Sequence, residues 1–164
     1  MRNSPIAFAV MSLLALSVET AIAADAGSIA RGEYLIKISG CNDCHTPGYP
    51  ETGGQVTEST WLTGNPVGFH GPWGTSYPTN LRRLVQDLSE ADWLTRVRQP
   101  MRPPMPWFNL RDMTDDDLVA IYRFIRSLGP AGEAAPMATG PGEPVKTAYI
   151  EFVPKDPANQ DRVR

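Results

Sequence analysis

Two cysteines and a histidine stand together at Cys41-Asn42-Asp43-Cys44-His45, the thiols three positions apart and the imidazole directly after the second. On a turn of helix, residues at i and i+3 face the same side. Each thiol can then form a thioether with one vinyl group of a haem, while the imidazole is carried beneath the iron; Cys-x-x-Cys-His is the spacing of c-type haem attachment. Cys-x-x-Cys also serves as a redox dithiol or as half of a zinc site. The chain contains two cysteines and two histidines, His45 and His70, so a four-ligand zinc site would consume them all. A thioredoxin-like pair needs a strand-helix setting that the flanking sequence lacks. The residues point to one covalently bound haem c, with Cys41 and Cys44 as attachment points and His45 as proximal ligand.

What fills the sixth position separates an electron carrier from a ligand-binding haem. A methionine thioether is soft and favours ferrous iron. Met101, Met105, Met113 and Met137 all follow the attachment site. Met105 sits in Arg102-Pro103-Pro104-Met105-Pro106-Trp107, a stretch stiff enough to hold one side chain in place. It is the expected ligand, with Met101 as the alternative. Met113 is expected to plug a helix junction, and Met137 falls in the tail. His70 would instead give a bis-histidine haem, or is an ordinary loop residue. Trp73, Tyr77 and Trp107 are expected to line the haem crevice, with a phenol or indole able to bond a propionate. Arg82, Arg83, Arg96, Arg98 and Arg102 form either a solvated face, a propionate clamp or a docking patch for an acidic redox partner.

These residues need elements to position them. The first 23 residues read as a secretory signal: Arg2 leads an uncharged apolar run, Ile6 to Val18, and Ala21-Ile22-Ala23 supplies a small-x-small cleavage pattern. Cleavage is expected before Ala24, with delivery to the periplasm. The apolar run is short for a bilayer and no later stretch resembles a membrane span. A net charge of −3 argues against nucleic-acid binding. Sixteen prolines and fourteen glycines imply long irregular segments. A first helix is expected over Gly27 to Ser39, capped by Ser28 and delivering the chain to Cys41. The glycine- and proline-rich stretch Thr46 to Thr79 reads as a loop over the haem, with room for a short hairpin. Ser89 and Thr114 cap two further helices, the first stopped by Pro100 and the second by Gly129-Pro130. In that last helix Leu118, Ile121, Phe124, Ile125 and Leu128 form the apolar face. Residues 131–164 read as an extended tail, wrapping the domain or disordered, with a β-like patch at Ala148 to Val153. The expected architecture is all-α: a domain over 24–130 with three or more helices around the haem.

Several segments in order resemble a small monohaem class I cytochrome c, related to cytochrome subunits of bacterial periplasmic dehydrogenases. They are Arg31-Gly32-Glu33-Tyr34-Leu35, Cys41 to Pro47, Gly71 to Tyr77, Asn80-Leu81, Trp93, Met105-Pro106 and Met113 to Leu118. The resemblance spans roughly residues 28–130. It implies that Met-Pro before the last helix marks the axial methionine and that Asn80 joins the crevice. It also implies that Gly32 and Ile36 cross Ile121 and Phe124. The function expected is periplasmic single-electron transfer, from a dehydrogenase to another cytochrome or an oxidase, with no catalytic residue. The alternative is a haem sensor or peroxidase-like enzyme with an open or displaceable sixth site, for which His70 is the candidate acid-base group.

Overall fold

Proline and glycine cut the chain into short pieces, and the computed structural model, which describes residues 25–156, shows how those pieces pack. The expected signal segment lies outside the described residues. The first helix, α1 (residues 25–38), is already helical at Asp25, so Ser28 sits inside it rather than capping it. Gly40, at φ 69°, turns the chain sharply into α2 (Cys41–His45), which carries the attachment motif. A glycine accepts that left-handed backbone without strain. After a 3-10 turn at Glu58–Thr60 and a hairpin come α3 (Leu81–Leu84), α4 (Glu90–Val97), α5 (Trp107–Asp112) and α6 (Asp115–Ser127).

The two expected caps form. Ser89 Oγ accepts the Asp92 amide while the Asp92 carboxylate accepts the Ser89 amide, a reciprocal box at the start of α4. Thr114 Oγ1 accepts the Asp117 amide at 3.2 Å at the start of α6. α6 buries Leu118, Ala120, Ile121, Tyr122, Phe124 and Ile125, and meets Leu35 and Ile36 of α1 in the core. The crossing is tight at Gly32, where an added Cβ would fall 2.8 Å from Phe124 Cβ. Trp93 of α4 joins the same core and donates its indole N–H to the Leu118 carbonyl at 2.9 Å.

The all-α expectation needs correction: the fold is mostly helical but includes a three-stranded sheet. β1 (Gly68–Gly71) and β2 (Gly74–Ser76) form an antiparallel hairpin, pairing Phe69 with Ser76 and His70 with Thr75. β3 (Tyr149–Glu151), drawn from the β-like patch of the tail, adds to β1 in parallel, giving the order β2-β1-β3. The long path from β2 through four helices allows this parallel pairing. The tail therefore lies along the domain as far as it is described. No helix among the described residues is long and apolar enough to cross a membrane.

Candidate cofactor site

α2 presents its motif to an apolar cavity of about 410 Å³, within the range of small-molecule and cofactor sites. Cys41, Cys44 and His45 all line it, from one side of the short helix. Ile36 of α1, Trp93 and Val97 of α4, Leu110 of α5, and Ile121 and Ile125 of α6 supply much of the apolar wall. The segment Met101 to Pro106 contributes to the lining and brings both Met101 and Met105 to it. Met113 reaches it too, whereas Met137 is 89% exposed in the tail.

His45 is 8% exposed, and its Nδ1 lies 2.7 Å from the Thr79 carbonyl oxygen. A carbonyl only accepts, so Nδ1 carries the proton and Nε2 keeps its lone pair free for a metal. Burial pushes the His45 pKa below its ordinary value, against a smaller opposing pull from the Thr79 bond. The ring is thus held neutral and in one tautomer, as a metal ligand must be. The next residue locks α2 from behind: Thr46 Oγ1 donates to Asn42 Oδ1 at 2.7 Å and accepts the Leu62 amide at 2.8 Å. The His45 carbonyl in turn accepts the Gly64 amide at 2.9 Å.

The two thiols are not joined to each other. Burial pushes the Cys41 thiol up to about 11 and raises Cys44 as well, so both rest as uncharged thiols rather than as a reactive thiolate pair. No group of three or more His, Cys, Asp or Glu side chains arranged to hold a metal ion by themselves occurs among the described residues. The donor set fits a covalently attached haem: two thiols, an imidazole with a free Nε2 and methionine thioethers line one largely apolar cavity.

The other candidates divide. Tyr77 lines the cavity, but its hydroxyl lies 2.8 Å from Thr147 Oγ1. Trp73, Asn80 and Trp107 stand outside the lining. The Trp73 indole packs against Phe152, and its N–H is buried with no partner. Asn80 is buried, caps α3 by accepting the Arg83 amide, and donates to the Ala131 and Glu133 carbonyls. Trp107 lies under the Arg111 guanidinium. His70 also stands outside: its Nδ1 lies 2.9 Å from Thr75 Oγ1 and its ring packs on Tyr149.

The five arginines do not form one cluster. Arg82, Arg83 and Arg98 donate to backbone carbonyls of neighbouring segments, while Arg96 and Arg102 reach the cavity. These two are the charged residues of the lining, and no carboxylate joins them there. The inward role of Thr79 escaped the sequence, because a backbone carbonyl leaves no mark in residue type.

The family described as cytochrome c matches residues 29–129. A relative named as the cytochrome c subunit of a quinone-dependent alcohol dehydrogenase, from Gluconobacter oxydans, is 31% identical over 131 residues. The match covers 71% of this chain and 25% of the relative, so the chain spans about a quarter of that protein's length. No solved structure matches the chain.

Proposed function

This chain belongs to the cytochrome c family, and from that premise we propose that it is a periplasmic single-electron carrier with one haem c. Cys41 and Cys44 would hold the haem through thioethers, and His45 Nε2 and Met105 would serve as its iron ligands, with Met101 as the alternative to Met105. Electrons arrive from a dehydrogenase and leave to another cytochrome or an oxidase. The observation that carries the reading is the meeting of the attachment triad and the proline-framed methionine on one apolar cavity.

Bound haem supplies reversible one-electron chemistry. The chain's own contribution is positional. The Thr79 carbonyl fixes the His45 tautomer. Ile36, Trp93, Leu110, Ile121 and Ile125 keep water from the cavity wall, and a dry wall favours the less charged oxidation state. His70, the acid-base candidate of the peroxidase-like alternative, stands outside the lining, which favours the carrier reading. Likeness to a dehydrogenase's cytochrome subunit supports a dehydrogenase as electron donor. The Arg2 and Ala21-Ile22-Ala23 pattern supports export.

Oxidised and reduced absorption spectra, with and without carbon monoxide, test the proposal on protein exported in a host that matures c-type haem. A low-spin spectrum with the ferric methionine-to-iron charge-transfer band and no response to carbon monoxide is expected. Carbon monoxide binding or a high-spin ferric form would transfer the function to a ligand-binding haem. Absence of covalent haem would overturn the reading altogether.

A further inference from the structure

Residues 131–156 lie beyond the family match, yet they are tied to the elements that frame the cavity. The Asn80 amide donates to the Ala131 and Glu133 carbonyls at 2.8 and 2.9 Å. Ala138 reaches the cavity wall. Thr139 and Thr75 of β2 then exchange both backbone hydrogen bonds, at 3.2 and 2.9 Å. Gly74, at φ 92°, makes room for that approach: a Cβ there would fall 2.2 Å from the Thr139 oxygen. Farther along, Gly68 donates to the Ala148 carbonyl at 2.9 Å, β3 pairs with β1, and Phe152 packs on Phe69 and Trp73.

The Thr139 carbonyl accepts a second donor, the Arg102 guanidinium, at 2.9 Å. Arg102 follows Met101 and precedes Pro103-Pro104-Met105. The same stretch is held again where Ser76 Oγ donates to the Pro103 carbonyl at 2.5 Å. The segment carrying both candidate methionines is therefore suspended from β2 at two points, and one of them runs through the tail.

We propose that residues 131–151 act as a positioning strap. By docking Thr139 between Thr75 and Arg102, they hold the methionine-bearing segment against the cavity and close its Ala138 side to small exogenous ligands. The proposal rests on the haem reading above. A segment tethered at two points keeps its thioether at high effective concentration, so an incoming ligand competes poorly. Untethered, the segment fluctuates and the competitor gains by the lost coupling.

The test compares three ferric holoproteins: the full chain, a chain ending after Pro136, and full-length Gly74→Ala, whose new Cβ drives the Thr139 carbonyl away. Covalent haem, imidazole affinity and the methionine-to-iron charge-transfer band are measured in each. Both variants are expected to retain covalent haem, lose band intensity, and bind imidazole about tenfold more tightly, a usual size for coupling between linked sites. Faster amide exchange at Thr75 in Gly74→Ala reports release of the strap itself. If the shortened chain does not fold, Gly74→Ala decides with the same readouts. A folded variant with the strap released but with unchanged band and imidazole affinity overturns the proposal. A full chain lacking covalent haem instead overturns the haem reading.

Discussion

Gly32 of α1 and Ala120 of α6 meet backbone to backbone: a Cβ built on Gly32 would lie 2.0 Å from the Ala120 carbonyl oxygen. Neither group can step aside, because the carbonyl belongs to the helix ladder and the glycine to the middle of α1. The crossing brings Ile36 of α1 and Ile121 and Ile125 of α6 to the same cavity wall.

Gly32→Ala should therefore force the two helices apart. Overpacking of this kind costs about 1–3 kcal/mol and occasionally more, and a rigid backbone acceptor puts this site at the upper end. Urea denaturation of the holoprotein should show a lower midpoint with an unchanged slope. A loss well under 1 kcal/mol would mean that the crossing is looser than its geometry.

Met101 and Met105 both reach the cavity, and single replacements separate them. Met105→Ala should abolish the methionine charge-transfer band and admit carbon monoxide to the ferrous protein, while Met101→Ala leaves the band in place and costs only packing. His70→Ala should leave the spectrum unchanged, because His70 is engaged with Thr75 and Tyr149 away from the lining. A low-spin spectrum that survives Met105→Ala and fails in Met101→Ala would reassign the ligand.

Residue chemistry made the attachment motif and the starts of α4 and α6 legible, whereas the Ser28 cap expected for α1 lies inside that helix. Cys41, Cys44 and His45 announce themselves by type and spacing, and Ser89 and Thr114 by the aspartates three positions on, Asp92 and Asp117. Length decided what was missed. Helices α3 and α5 have four and six residues, too few for a 3.6-residue period to emerge. Their starts also differ from the usual signals: Asn80 caps α3 within a loop-like sequence, and α5 follows Pro106 with no side-chain cap. β3 was visible as a β-like patch, but its parallel pairing with β1, some eighty positions away, depends on tertiary packing. The places of Trp73, Asn80 and Trp107 were obscured for a related reason. Aromatic and amide side chains suit a crevice and a helix cap or turn equally well; contacts with the tail place Trp73 and Asn80, and Trp107 packs under Arg111 of its own helix.

Acid stability has a definite sign. The Arg31 guanidinium, 2.9 Å from Asp117, holds that carboxyl below its ordinary value, and the Ser89 hydroxyl does the same for Asp92. A carboxyl with a depressed folded-state value releases its proton more readily when folded, so the unfolded chain binds more protons across the window between the two values. Stability from these pairs is complete above the unfolded value of about 3.9 and is lost as pH falls through the lower folded values. Asp117→Asn should be less stable than the parent at neutral pH, with the gap closing below about pH 4 as the parent protonates. A gap that stays constant down to full protonation would mean that the Arg31 pair contributes nothing and that the loss is steric.

Arg82 separates a structural from a docking role for the arginines. It is 6% exposed, and its guanidinium donates to Gly129 at 2.6 Å, to Ser59 at 2.8 Å and to the Leu128 carbonyl. Leu128 and Gly129 follow the end of α6, where helix carbonyls lack intrahelical partners. One planar fork thus closes the C-terminus of α6 onto α3 and the turn before Trp61. Arg82→Met removes all three donors and should cost about 2–3 kcal/mol, the size of a lost charged hydrogen-bonding group. Arg82→Lys should recover only part of this, because an ammonium cannot reproduce the fork. Neither change should move the reduction potential of the folded holoprotein, since Arg82 stands outside the cavity lining. Thermal unfolding and a redox titration on the same samples check both halves, and a shifted potential at unchanged stability would return Arg82 to the haem.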